Sequence, residues 1–190
     1  MEASRTARSR AARRVRYFAM DEARFGLKVW HRRCWCPRGH RPPWQVEDRY
    51  EWLWLYAAVE PATGESFCLY MPNLDGLHFE VFLQKLREAY PEEKIVLVLD
   101  GAGAHRNRSI RWPEGLVARW LPAYSPELNP AERWFRELRE ELANQVFETV
   151  EAIDRALTEA LEPYWEDPPL LARLTGYQWW IAPLSSIPTS

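Results

Sequence analysis

Short apolar runs punctuated by turn-forming clusters occupy the first part of the chain, and helical spacing takes over towards its end. Residues 16 to 30 alternate in part and predict a strand; residues 51 to 60 (Glu-Trp-Leu-Trp-Leu-Tyr-Ala-Ala-Val-Glu) and 65 to 72 predict two more, joined by the turn Pro61-Ala62-Thr63-Gly64. Three successive strands suggest a meander. From about Gly76 to Tyr90, Leu77, Val81 or Phe82, and Leu86 recur near helical spacing. The run Lys94 to Asp100 is apolar almost throughout, the pattern of a strand buried on both faces in a parallel part of a sheet. A short helix is expected around 105–110 and a strand near 116–120. Asn129-Pro130 supplies an N-cap and a proline at the first helical position, and Trp134 or Phe135, Leu138 and Leu142 carry an apolar stripe to about Asn144. A further helix starts at Thr149, sets Val150, Ile153, Leu157 and Leu161 on one face, and is expected to stop before Pro163. The Pro-rich tail is expected to wrap on the core through Tyr177, Trp179 and Trp180.

The order βββαβαβα is that of the ribonuclease-H-like fold, an α/β architecture in which an antiparallel meander is continued by parallel strands into a mixed five-stranded sheet with helices on both faces. The crossover from the third strand through the first helix to the Lys94 strand is long enough for the right-handed connection that parallel strands require. At 190 residues one well-buried core is the expected content. The division expected is a basic N-terminal arm over residues 1–15 and one domain over 16–190, closed by a C-terminal helix and an aromatic tail. Apolar residues make up 47% of the chain, which excludes general disorder, yet no apolar run reaches the roughly 18 residues of a membrane span. The Arg-rich start lacks the apolar stretch of a secretory signal, and three cysteines form an odd set, so a reduced, cytoplasmic setting is expected.

Three acids stand where they change the picture. Asp21 closes the Val15-to-Met20 run, Asp100 closes Ile95 to Leu99, and Glu132 opens the helix after Asn129-Pro130. Adjacent strands would converge these carboxylates, and convergent hard-oxygen donors hold Mg²⁺ or Mn²⁺ pairs of the kind that in-line attack on a phosphodiester needs. Each has a plainer reading. Asp100 can cap the turn at Gly101-Ala102-Gly103, and Glu132 sits three residues after Asn129, where a capping box would use it. Glu127 competes as a third acid. Glu22 should face away from Asp21, because side chains alternate along a strand, as a structural or salt-bridging acid. His31, Cys34, Cys36 and His40 are too crowded for a typical zinc spacing.

These residues also carry a resemblance. Met20-Asp21-Glu22, Leu99-Asp100-Gly101-Ala102-Gly103-Ala104-His105 and, most specifically, Leu121-Pro122-Ala123-Tyr124-Ser125-Pro126-Glu127-Leu128-Asn129-Pro130-Ala131-Glu132-Arg133-Trp134 resemble the catalytic domain of bacterial insertion-sequence transposases of the mariner superfamily, the DDE endonucleases. The likeness runs from about Arg16 to Trp180. It implies that Asp21, Asp100 and Glu132 are catalytic metal ligands for two Mg²⁺ (or Mn²⁺) ions. Strand cleavage and strand transfer at transposon ends are the implied reaction, carried out by a homodimer on DNA. The interval from Asp100 to Glu132 is slightly shorter than is usual in such enzymes, which suggests a trimmed surface loop around Arg111-Trp112-Pro113-Glu114-Gly115. The resemblance places His105 near the scissile phosphate or behind a ligand, with a capping or core histidine as the plainer reading; Tyr124 and Ser125 can touch DNA backbone or fix the turn before Pro126.

Net charge is −2, and its distribution matters more than its sum. Arg-rich stretches at residues 5–16 and 31–41 suit a phosphate-rich partner. The DNA-contacting candidates are Arg13, Arg14 and Arg16 in the arm, and Arg32, Arg33, Arg38 and Arg41 on a hairpin turning at Trp35-Cys36-Pro37-Arg38-Gly39. The aromatics at 52, 54 and 56 share a strand face and suit a core better than a base-stacking platform. Helix-turn-helix modules precede the catalytic core in the superfamily, whereas here an Arg-rich stub precedes the first strand. A separately encoded helix-turn-helix subunit, a catalytically silent DNA-binding remnant, or another ribonuclease-H-like nuclease or resolvase are the alternatives that follow.

Overall fold

A computed structural model describes residues 14–28, 33, 35–40, 49–103, 105–107 and 109–185. The meander is β1 (Val15–Gly26), β2 (Trp52–Val59) and β3 (Ser66–Met71), each antiparallel to the next. Helix α1 (Gly76–Ala89), capped by the Asp75 side chain on the His78 N–H, crosses to β4 (Lys94–Leu99), which lies parallel to β1; β5 (Leu116–Trp120) lies parallel to β4. The sheet order is β3-β2-β1-β4-β5, the expected mixed sheet. Helices α2 (Pro130–Glu141), α3 (Val150–Glu166), α4 (Pro168–Thr175) and α5 (Gln178–Ser185) complete the chain.

Alternation along β1 and β2 builds two cores. Ala19, Ala23 and Phe25 join Leu53, Leu55, Ala57 and Val59 under α2, α3 and α4, while Phe18, Met20, Tyr56 and Ala58 meet Phe79, Phe82, Leu83 and Leu86 of α1. Fully burying each of these Leu, Val, Phe and Met side chains stabilises by roughly 1.5–3 kcal/mol, so a one-residue slip of β1 is strongly opposed. The same parity decides the site. Asp21 shares the face of Ala19 and Ala23 under α2, and Glu22 points towards α1, as alternation requires.

Four expectations change. Strand β4 is buried on one face only: Ile95, Leu97 and Leu99 are inaccessible, but Val96 and Val98 are half-buried, because the α2–α4 core draws on β1 and β2 instead. Residues 105–107 and 109–110 form turns rather than a short helix. Helix α3 runs through Pro163, because Tyr164 beyond it packs edge-on against Trp134 at 5.7 Å and the Asp167 N–H still reaches the Pro163 carbonyl. The tail is helical, with Trp180 against the core and Trp179 47% exposed. Of the strand aromatics, Tyr56 is fully buried, Trp54 packs at the core edge, and Trp52 is partly exposed under the Arg24 guanidinium.

Candidate active site

Parallel pairing of β1 with β4 runs from Val15–Lys94 to Ala19–Val98, which brings Asp21 level with Asp100 just beyond Leu99. The Asp21 carboxylate accepts the Glu22 N–H through Oδ1 at 2.9 Å. Asp100 leaves the strand into a tight turn, and its Oδ1 accepts the Ala102 N–H at 3.1 Å. The turn-capping reading of Asp100 is therefore realised, but it occupies one oxygen. A second contact falls on the same oxygen, from His105 Nδ1 at 2.9 Å.

His105 is 2% exposed, and its ring lies 4.7 Å from that of Phe79. Its other nitrogen, Nε2, meets Glu22 Oε1 at 2.8 Å. Burial disfavours the imidazolium, but the Glu22 hydrogen bond and charge, with Asp100 behind them, outweigh it and hold the His105 pKa above its ordinary value. Two carboxylate acceptors, one at each nitrogen, call for a ring that donates twice. Glu22 is the salt-bridging acid expected of it, with a partner that periodicity did not single out.

The third carboxylate arrives with α2. Asn129 caps the helix through its side chain on the Ala131 N–H at 3.2 Å, and its Nδ2 donates to the Met20 carbonyl at 3.0 Å, pinning the helix start beside Asp21. A capping box would need the Asn129 N–H, but that group bonds the Pro126 carbonyl at 2.9 Å. Glu132 is left to face the pocket, with Arg139 at 3.9 Å from its Oε2. Glu127 sits in the 3₁₀ turn Pro126–Leu128 and does not line that pocket.

Asp21, Asp100 and Glu132 line one cavity of about 430 Å³, walled also by Arg106, Pro122 and Tyr124. Tyr124 is fully exposed at its rim with a φ of 58°, so its ring is not what holds the turn before Pro126. Among the described residues no three such side chains are close enough to clasp a single ion. The donor set nevertheless fits divalent cations: burial, then the charges of Glu132, Glu22 and Asp100, push the Asp21 pKa from 3.8 to about 8, the sign of negative charge wanting neutralisation. The pH dependence follows. Folded Asp21 holds its proton more tightly than unfolded Asp21, so the stability that protonated Asp21 contributes to the metal-free fold is lost as pH rises from about 4 to about 8. Thermal melts in EDTA should show that decline weakened in Asp21→Asn; parallel profiles for parent and variant would refute the raised pKa.

The description "DDE superfamily endonuclease" belongs to the family whose model matches residues 16–154, most of the chain. The chain belongs to the DDE superfamily endonuclease family. Uncharacterized protein y4pE/y4sA of Sinorhizobium fredii (strain NBRC 101917 / NGR234) is 30% identical to it over 104 residues, 54% of this chain and 77% of that protein. Among solved structures, the Mos1 transposase paired-end complex with left transposon end superposes at a TM-score of 0.59 with 18% identity, covering 83% of this chain and 52% of that one. The Mos1 mariner paired end complex with Mn gives a TM-score of 0.58 at 19% identity over 86% and 54% of the respective chains. At such identities the likeness is one of fold, the ribonuclease-H-like arrangement of transposase and integrase catalytic domains. The chain spans about half the length of these Mos1 chains.

The basic candidates of this chain separate. Arg14, Arg33 and Arg38 are exposed; Arg13, Arg32 and Arg41 lie outside the described residues, as do His31 and Cys34. The His40 N–H closes a turn on the Pro37 carbonyl at 3.0 Å, where the hairpin turn was expected. Arg16 is a correction. It is 2% exposed, bonded to Glu60 at 2.7 Å and paired with Glu65, and it lies over the Phe18 and Tyr90 rings. Its position in β1 turns it into the α1-side core, so no phosphate reaches it.

Sequence reasoning missed Arg106. Its guanidinium lies over Trp120 at 5.2 Å and against Gly101, where a Cβ would come within 2.7 Å of it; among the described residues it is an exposed cation on the wall that carries Asp100. The glycine after Asp100 was the available signal.

Proposed function

We propose that this chain is the catalytic domain of a DNA transposase that cuts strands at transposon ends and joins the freed 3′ ends to target DNA, using Mg²⁺ or Mn²⁺. The observation that carries this reading is the meeting of Asp21, Asp100 and Glu132 in one pocket from three separate elements of a DDE-family fold. Bound there, a pair of divalent cations would neutralise charge on the attacking and leaving oxygens of an in-line displacement. Asp21 and Asp100 would hold them with the oxygens left free by the Glu22 and Ala102 N–H groups, and Glu132 from the helix side. Arg106 would draw the scissile phosphate towards the carboxylates, and exposed Arg14, Arg33 and Arg38 would hold flanking backbone. The similar Mos1 structures are a paired-end complex with a transposon end, a strand transfer complex, and paired-end complexes with Mn and with Mg, which supports the same substrate, chemistry and metals here.

The test is cleavage of an end-labelled transposon-end duplex with Mg²⁺, Mn²⁺ or EDTA. Nicking with either metal and none in EDTA is expected. Metal-independent DNA binding without any nicking would favour a catalytically silent remnant. Arg106→Ala should weaken cleavage by about 10- to 100-fold while the fold persists, one charge-assisted phosphate contact being worth roughly 1.5–3 kcal/mol; parental turnover in that variant would remove Arg106 from the site.

A further inference from the structure

We propose that His105, braced by Glu22, is a positioning residue that turns the Asp100 carboxylate so that Oδ1 is committed to the protein and Oδ2 to a divalent cation. The proposal rests on the metal-dependent reading of the pocket and deepens it.

Asp100 needs such a device. It stands past the last residue of β4, its side chain is 54% exposed, and Gly101 follows it, so the strand itself does not fix its rotation. Both described protein contacts of its carboxylate, Ala102 N at 3.1 Å and His105 Nδ1 at 2.9 Å, fall on Oδ1. Among the described residues Oδ2 accepts no hydrogen bond, which leaves its lone pairs to the pocket. Asp21 is held in the same way, one oxygen on the Glu22 N–H and the other without a hydrogen bond among the described residues.

The brace is rigid where Asp100 is not. Glu22 lies in the middle of β1, its side chain is 5% exposed, and it reaches the imidazole from the α1 side, where the Phe79 ring closes over His105. Asp21 and Glu22 thus divide the work: one residue faces the pocket directly, and its neighbour, through His105, sets the second carboxylate across the strand gap. A buried glutamate and imidazole are an expensive way to fill a core, since packed apolar residues of similar volume commonly serve stability as well or better. Partners that orient metal ligands are the setting in which such pairs persist, and losing one typically weakens metal binding 10- to 100-fold.

The experiment is Mn²⁺ binding to the full chain without DNA, followed by loss of the free-ion electron paramagnetic resonance signal, with circular dichroism to verify folding. His105→Asn places an amide donor where Nδ1 stood, and His105→Gln places it nearer Nε2, towards Glu22. We expect His105→Gln to weaken Mn²⁺ binding about 10- to 100-fold and His105→Asn to recover most of that loss. Parental affinity in a folded His105→Gln chain overturns the proposal, as does His105→Asn binding no better than His105→Gln. Should His105→Gln fail to fold, Glu22→Met, which keeps the side-chain length and removes the acceptor for His105 Nε2, decides: weaker binding in a folded chain supports the brace, and parental binding overturns it. Parental protein that takes up no Mn²⁺ would instead refute the metal-dependent reading, and the positioning role with it.

Discussion

Replacing Asp100 with Asn should abolish metal-dependent strand cleavage while leaving the fold intact. The amide oxygen can still accept from the Ala102 N–H and from His105 Nδ1, both of which bond the same carboxylate oxygen in the parent. Only the oxygen facing the pocket is exchanged for an NH₂ group, which cannot bind a cation. Losing several kcal/mol of charge stabilisation corresponds to a rate loss on the order of 10³-fold or more. Without metal the variant should melt no lower than the parent, because one member of a like-charge cluster has gone. Single-turnover cleavage with circular dichroism melts in EDTA measures both; a variant that cuts at the parental rate would leave Asp100 as a turn cap and nothing more.

The second large effect falls on stability. Arg16→Met removes the cation from a buried pair and leaves Glu60, 6% exposed, beside Thr63 and Glu65 with no positive partner in that network. Breaking one side of a buried pair costs about 3–5 kcal/mol, because the remaining charge is stranded. Urea unfolding should show a loss of that size, and DNA affinity per folded molecule should not change. A stability loss below about 1 kcal/mol, in the range of exposed pairs, combined with weaker DNA binding, would return Arg16 to the DNA-contacting set.

The strands, their arrangement in a mixed sheet and the three acids that line the cavity were legible because each rests on a local signal: alternation in β1 and β2, an apolar run ending in Asp100, and Asn129-Pro130 opening α2. Strand parity even separated Asp21 from Glu22 correctly. What stayed hidden depends on contacts between distant parts of the chain. Arg16 read as one more arginine of a basic run, and only its place in β1, where its guanidinium bonds Glu60, makes it a core residue. Pro163 read as a stop, and the packing of Tyr164 on Trp134 carries α3 through it. His105 lies far from Glu22 in sequence, so no spacing could announce their bond. The capping box at Glu132 satisfied the local pattern, but the Pro126 carbonyl takes the Asn129 N–H first. Local rules fail here where a residue's partner comes from another element, and that is how the pocket is assembled.

The central claim is that Asp21, Asp100 and Glu132 serve one divalent-cation site. Anomalous diffraction from crystals soaked in Mn²⁺ tests it most directly. The account predicts Mn²⁺ peaks in the cavity between the three carboxylates, with Asp100 Oδ2 rather than Oδ1 turned to the metal. Mn²⁺ bound only elsewhere, or a Glu132 side chain turned away from an occupied Asp21–Asp100 pair, would contradict it.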